Sequence, residues 1–334
     1  MQTRRDPIRM SRRGFGAVML ALGVIGLGTP ASAEEAKIRI GIQSVPPDEA
    51  YAAKDWLEPY GITGEIVQFS SGGDMLQAFL AGRIDVANGG SARLVSMAAS
   101  RPKFFSIIAA HQYGGDRYAV LVRPESPIKT AADLKGKKVG AVTGSGTFET
   151  FRVFLENHGM STKDLQVVNM KVQDIRSAVQ QELVEAGVAW EPHVAIAETT
   201  AGLKRVMSMK GVNASPNFYL VNREFADKNP DTVTKFVASL IDLAKLIENR
   251  PDEAGKLAAQ AISQKGVAVD PKALELSFTR LTVDRKVTDD LIAELVPIAE
   301  SMKDANRIKA VPDFKALVDD RFYVEAMKIA VSSR

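Results

Sequence analysis

The 334-residue chain has no cysteine. That excludes disulfides, thiolate metal sites, a thiol nucleophile and a lipidated N-terminal Cys, so stability has to come from packing alone. Histidine is scarce too: His111, His158 and His193 stand far apart without metal-ligand spacing, and no zinc site is expected. No apolar run approaches the roughly 20 residues a permanent membrane helix requires. Gly144-Ser145-Gly146 is not followed by Gly-Lys-Ser/Thr, which rejects a phosphate-binding P-loop. Neither a Ser-His-Asp order nor paired carboxylates in matching turns is present, so no catalytic constellation is read.

What the N-terminus does contain reads as an address label. Arg4, Arg5, Arg9, Arg12 and Arg13 precede an apolar run from Ala17 to Leu27, and Ala31-Ser32-Ala33 supplies an A-x-A pattern. Cleavage is expected after Ala33, leaving a soluble chain in a bacterial periplasm or outside the cell. Ser11-Arg12-Arg13-Gly14-Phe15 resembles the twin-arginine export motif but departs from it at Gly16 and Ala17, and an ordinary secretory signal fits equally. Met10 is an alternative start. The label carries five Arg and one Asp, so cleavage leaves 38 of the 43 basic and 39 of the 40 acidic side chains. A net charge of about −1 points away from nucleic acid and from anionic membranes.

About 300 residues remain, a length at which single cores usually split in two. From Lys37 the sequence repeats one unit of β-rich run, Gly/Ser-rich turn and helix-period segment, the pattern of an α/β fold with largely parallel sheets. Ile38, Ile40 and Ile42 alternate along a first strand. Further strands are predicted at Ile66–Phe69, Ile84–Ala87, Phe104–Ala110, Tyr118–Val122, Lys138–Val142, around Val167 and Val188, and at Phe218–Val221. Tyr113-Gly114-Gly115-Asp116 reads as a tight loop. Two prolines in Pro124-Glu125-Ser126-Pro127 mark a connection, placing the first lobe crossing there. The expected organisation is a label at 1–33, one lobe from 34–122 plus 222–334, and a second lobe from 123–221. The last third is helical, with Asp231 to Glu248 carrying apolar residues at helical spacing and Asp270-Pro271 opening another helix. These helices should finish the first lobe.

Three segments carry a family resemblance. They are Gly82-Arg83-Ile84-Asp85-Val86-Ala87-Asn88-Gly89-Gly90, Ser126-Pro127-Ile128 through Ala132-Asp133-Leu134-Lys135-Gly136-Lys137-Lys138-Val139, and Trp190-Glu191-Pro192, with Phe225 to Pro230 behind them. In order and spacing, from about Lys37 to Ile247, the chain resembles the periplasmic binding proteins of aliphatic sulfonate, taurine and nitrate importers, whose family name comes from thiamine-pyrimidine biosynthesis. It departs from that pattern at Leu183-Val184-Glu185-Ala186. The resemblance implies a type II periplasmic-binding-protein fold, two α/β lobes with a ligand cleft between them. It also implies delivery of a small polar or anionic solute to an ABC permease in the inner membrane, with no cofactor and no metal. A monomer is expected.

In open α/β sheets ligands settle beyond the C-terminal strand ends. Four turns are candidates there: Gln43 and Ser44; Ser70 and Gly72; Gly89, Gly90 and Ser91; and Thr143, Ser145 and Thr147. Glycine lets backbone approach closely, hydroxyls donate, and unpaired helix N-terminal N–H groups favour an anion. Any one turn could be a plain helix cap; four in register favour a site. Trp190 offers a flat apolar wall or core packing. Glu191 could accept a ligand ammonium or pin the hinge, and Asn217 lies at the return crossing. The rival readings are a sensing subunit for a membrane receptor and a pyrimidine-type enzyme on the same fold; enzymes of that type depend on Cys, absent here.

Overall fold

A computed structural model describes residues 37–330; the expected label, its cleavage point and the alternative start lie outside them. In chain order the strands are β1 (Ile38–Ile42), β2 (Gly64–Gln68), β3 (Val86–Gly90), β4 (Phe105–Gln112), β5 (Tyr118–Val122), β6 (Lys138–Ala141), β7 (Gln166–Asn169), β8 (Ala186–Trp190), β9 (Lys204–Ser208) and β10 (Asn217–Asn222). The helices are α1 (Pro46–Ala52), α2 (Gly72–Leu80), α3 (Ser91–Ser100), α4 (Gly146–Asn157), α5 (Val172–Gln180), α6 (His193–Ala201), α7 (Arg223–Lys228), α8 (Pro230–Asn249), α9 (Pro251–Gln264), α10 (Pro271–Phe278), α11 (Asp289–Ala293), α12 (Leu295–Asp304) and α13 (Arg321–Ile329).

The strands form two five-stranded sheets, ordered β2-β1-β3-β10-β4 and β7-β6-β8-β5-β9. In each, four strands run parallel and one runs against them, β10 in the first and β5 in the second. Alternation along β1 puts Ile38, Ile40 and Ile42 on one face, in a core shared with α1, α8, α9 and α10. The opposite face packs on α2, α3 and α12 through Met75, Leu94 and Leu295. The second sheet is sandwiched likewise, with Val120 and Val122 on the α4 side and Ala119 and Leu121 on the α5 and α6 side. As expected, the C-terminal helices complete the first lobe. Asp85 of the Gly82–Gly90 motif has a local role: its Oδ2 accepts from Arg39 N at 2.9 Å while Oδ1 pairs with Arg39 Nη2 at 2.6 Å, fixing β1 beside β3.

The crossings differ from the sequence expectation. Tyr118–Val122 pairs with β8 and β9 and so belongs to the second sheet, whereas Asn217–Asn222 pairs with β3 and β4 in the first. The chain therefore changes sheets at 113–117 and 209–216, not after 122 and 221. The prolines at 124 and 127 connect β5 to β6 within the second lobe. Apolar alternation in a strand is the same whichever sheet accepts it, so the pattern alone misplaced both strands.

The two crossings touch. A Cβ on Gly115 would lie 2.2 Å from Met209 O, so only glycine allows this approach. Buried Arg117 ties them further, donating from Nη1 to Gly114 O at 3.0 Å and from Nη2 to Ser215 O at 2.5 Å and Asn217 Oδ1 at 3.4 Å.

Candidate functional site

The C-terminal strand ends of both sheets face each other across one cavity of about 220 Å³. Gln43 and Ser44 reach it from the β1–α1 turn, Ser70 and Gly72 from the β2–α2 turn, and Gly90 from the end of β3. Ser145 and Thr147 line it from the β6–α4 turn, Trp190 from the end of β8 and Asn217 from the start of β10. Nine of the thirteen residues expected from sequence are thus brought together.

The other four are not. Gly89 lies within β3, buried and paired with Phe218, because the strand runs through the Asn88-Gly89-Gly90 stretch read as a turn. Ser91 is buried and its hydroxyl donates to Pro216 O at 2.7 Å, binding the return crossing instead of facing the cavity. Thr143 is exposed, its backbone N–H donating to Asn169 Oδ1 at 3.1 Å. Glu191 is buried behind the wall: Oε1 meets Arg280 Nη1 at 2.8 Å, and Oε2 accepts from Ser277 Oγ at 2.8 Å and Ala195 N at 3.0 Å. Its carboxyl is pushed up by burial and held back by the Arg280 guanidinium. Of the two roles weighed for it, pinning the lobes is the one the geometry supports.

Local sequence explains how the turns are held. Ser71 caps α2 by accepting from Asp74 N at 3.1 Å, and Ser145 caps α4 by accepting from Phe148 N at 3.1 Å. Beyond each cap, the first amide N–H groups of α2, α3, α4 and α5 have no partner inside their own helix, and these four N-termini converge on the cavity. Gln43 is set from below. Its N–H donates to Asp48 Oδ2 at 2.7 Å and its Nε2 to Asn88 Oδ1 at 2.7 Å, while Asn88 Nδ2 donates to the same Asp48 oxygen at 2.8 Å. The remaining oxygen of Asp48 meets His111 Nε2 at 2.7 Å. Burial depresses the His111 pKa, so the ring is neutral and Nε2–H is the donor.

Sequence reasoning missed the polar groups that stand out most. Arg93, in the first turn of α3, lines the cavity half-buried and makes no hydrogen bond or ion pair among the described residues. Burial lowers its pKa and the Asp74 charge opposes that shift. Asp74 is itself held below the usual carboxylate range by the Ser71 and Ser70 hydroxyls. Gln112, at the end of β4, is 3% exposed, lines the cavity, and its Oε1 has no partner. Lys171, Tyr118 and His193 complete the wall. Trp190 stands half-buried, stacked edge-on to His193 at 6.0 Å. The glycine at 72 makes room: a Cβ there would sit 2.9 Å from Gln43 Oε1 and 3.1 Å from Arg93 Nη1.

This arrangement offers donors, a guanidinium and a flat indole wall to a small molecule, with a polar-to-apolar range typical of ligand clefts. The Ser145 hydroxyl is not poised as a nucleophile. Ser145 Oγ donates to Val142 O at 2.8 Å, and His193 Nε2 has no hydrogen-bond partner.

Comparison with known proteins agrees with the fold. A putative aliphatic sulfonates-binding protein of Bacillus subtilis is 25% identical over 299 residues, covering 87% of this chain and 88% of that protein. The taurine-binding periplasmic protein of Escherichia coli is 24% identical over 290 residues, covering 83% and 89%. Among solved structures, the alkanesulfonate-binding protein SsuA from Xanthomonas axonopodis pv. citri bound to MOPS overlays with a TM-score of 0.74 at 20% identity, covering 86% of this chain and all of that one. The desulfurization enzyme DszB overlays at 0.67 with 15% identity, covering 88% and 99%, so the same fold also carries an enzyme. The fold is the two-lobed one of periplasmic binding proteins. Residues 41–254 match the NMT1/THI5-like family model, and the chain belongs to that family.

Proposed function

We propose that the chain is the solute-binding subunit of an ABC importer, exported to the periplasm, which closes its two lobes on a small organic anion of the sulfonate or taurine class and presents it to an inner-membrane permease. The single observation that carries this reading is Arg93. A guanidinium half-removed from water and left without a partner costs free energy that a bound anion would recover. The four converging helix N-termini act in the same sense. Gln112 and Thr147 supply neutral hydrogen bonds, and Trp190 covers the apolar part of the solute.

A non-enzymatic role is favoured over turnover on the DszB-like fold by the occupied Ser145 hydroxyl and the unengaged imidazole. Export by removal of residues 1–33 and function as a monomer belong to the same reading.

The test is calorimetric titration of the processed protein with a panel of alkanesulfonates, taurine, nitrate and carboxylates. One class should bind, and Arg93→Gln should weaken it at least about tenfold, the scale of one charge-assisted hydrogen bond, without lowering the melting temperature of the unliganded protein. Equal affinity in the variant removes the anion reading; product formation from any bound compound removes the binding-protein reading.

A further inference from the structure

Beside the ligand cavity lies a second one, also of about 220 Å³, which shares Ser44, Val172, Gln173 and His193 with the first. Its walls come from both lobes. Leu121, Ile175 and Ile196 form the second-lobe side, and Ile262 of α9 and Val267 in the segment after it form the first-lobe side.

Two buried polar atoms in this largely apolar chamber have no hydrogen-bond partner among the described residues. Glu49 is fully buried; its Oε2 pairs with Lys265 Nζ at 2.5 Å, whereas Oε1 has no hydrogen bond among the described residues. Burial pushes its carboxyl up, opposed by Lys265 and then by the Ser44 hydroxyl. His193 Nε2 is the other. A buried acceptor left unsatisfied costs free energy, and Glu49 and His193 both line a cavity that shares four lining residues with the ligand cavity.

We propose that this chamber is a second subsite for the same ligand, which is an elongated organic anion carrying an uncharged N–H or O–H donor at its far end. The anionic head stays by Arg93, the apolar body runs along Leu121, Ile175 and Ile262, and the tip donates to Glu49 Oε1. The assignment rests on the anion reading of the first cavity. An uncharged tip is required because Arg176 and Lys265 already line the chamber. Their charges oppose a second cation there, and His193, kept neutral by burial with Arg176 adding to the effect, brings no negative charge to offset them. A tip that both donates and accepts, such as a hydroxyl or a carboxamide, satisfies Glu49 and the unpartnered Arg176 together.

The test uses three sulfonates, and the matching carboxylates, on the processed protein: a short head alone, a longer chain ending in methyl, and the same chain ending in hydroxyl. The expected order is hydroxyl-tipped tightest, by about tenfold over the methyl-tipped form. Val267→Trp, at a partly exposed rim position, should fill the second chamber and abolish the gain from length while leaving the short head's affinity unchanged. Glu49→Gln should reduce the preference for the hydroxyl tip. Equal binding of short and long compounds to the wild type, or equal losses for both in Val267→Trp, overturns the second subsite but not the first. Failure of every head, short or long, to bind the wild type overturns the anion reading and the subsite with it.

Discussion

Arg280 Nη1 lies 2.8 Å from Glu191 Oε1 and 2.5 Å from Glu198 Oε2, so a guanidinium from the turn after α10 of the first lobe grips two carboxylates of the second. Glu191 directly follows Trp190, and α6, which begins two residues later, sends Ala195 and Ile196 into the first lobe's core. The wall of the cavity is therefore anchored across the lobe boundary by both charge and packing.

Removing the cation of this clamp should be costly, because Glu191 would be left as a buried carboxylate without a counter-charge, whereas Arg280 without Glu191 would keep Glu198. Arg280→Ala is expected to lower unfolding stability by about 3 kcal/mol, read as a reduced midpoint in urea with an unchanged slope. A change under about 1 kcal/mol would mean that the pair behaves like an exposed one.

Stability should also depend on pH through His193. Burial, with Arg176 adding to it, depresses its pKa to about 4, against about 6.5 in an unfolded chain. Between these values the unfolded state binds the proton and the folded state does not. Stability is then full above about pH 6.5 and falls as pH drops towards 4, by about 3 kcal/mol from this group. His193→Gln should flatten that part of the stability profile; an unaltered slope would show that the ring protonates freely in the folded protein.

Gly72 separates two groups of the site. Gly72→Ala places a methyl 2.9 Å from Gln43 Oε1 and 3.1 Å from Arg93 Nη1. Both neighbours are ends of flexible side chains, so the fold should survive while the pair is displaced. Anion affinity is expected to fall about tenfold, the equivalent of roughly 1.4 kcal/mol, with a melting temperature within a few degrees of wild type. A loss of folding, or no loss of affinity, would contradict the placement.

The residues that sequence made legible are those whose type and position work together. Ser145 and Thr147 follow a strand and open a helix, which marks them as strand-end donors before any fold is known. The alternating isoleucines of β1 likewise announce a strand with one buried face. Arg93 carries no such mark, since one arginine near the start of a helix reads as solvated surface until the fold turns that face into a cleft. Gln112 was hidden because β4 runs two residues further than its apolar run. Gly89 failed for the opposite reason: glycines that resemble a turn sit inside a central strand whose neighbours on both sides supply its hydrogen bonds. Lobe membership of β5 and β10 depends on long-range pairing that alternation does not encode.

Only Trp56 and Trp190 can report by indole fluorescence, and Trp56 is buried in the first lobe's core with its Nε1 donating to Ala50 O at 3.3 Å. Titrating Trp56→Phe protein with the anion that binds leaves Trp190 as the sole reporter on the cavity wall. A saturable change in emission with one equivalent bound, absent after Arg93→Gln, is the expected result. Heat of binding with no change at Trp190 would show that the solute is held elsewhere.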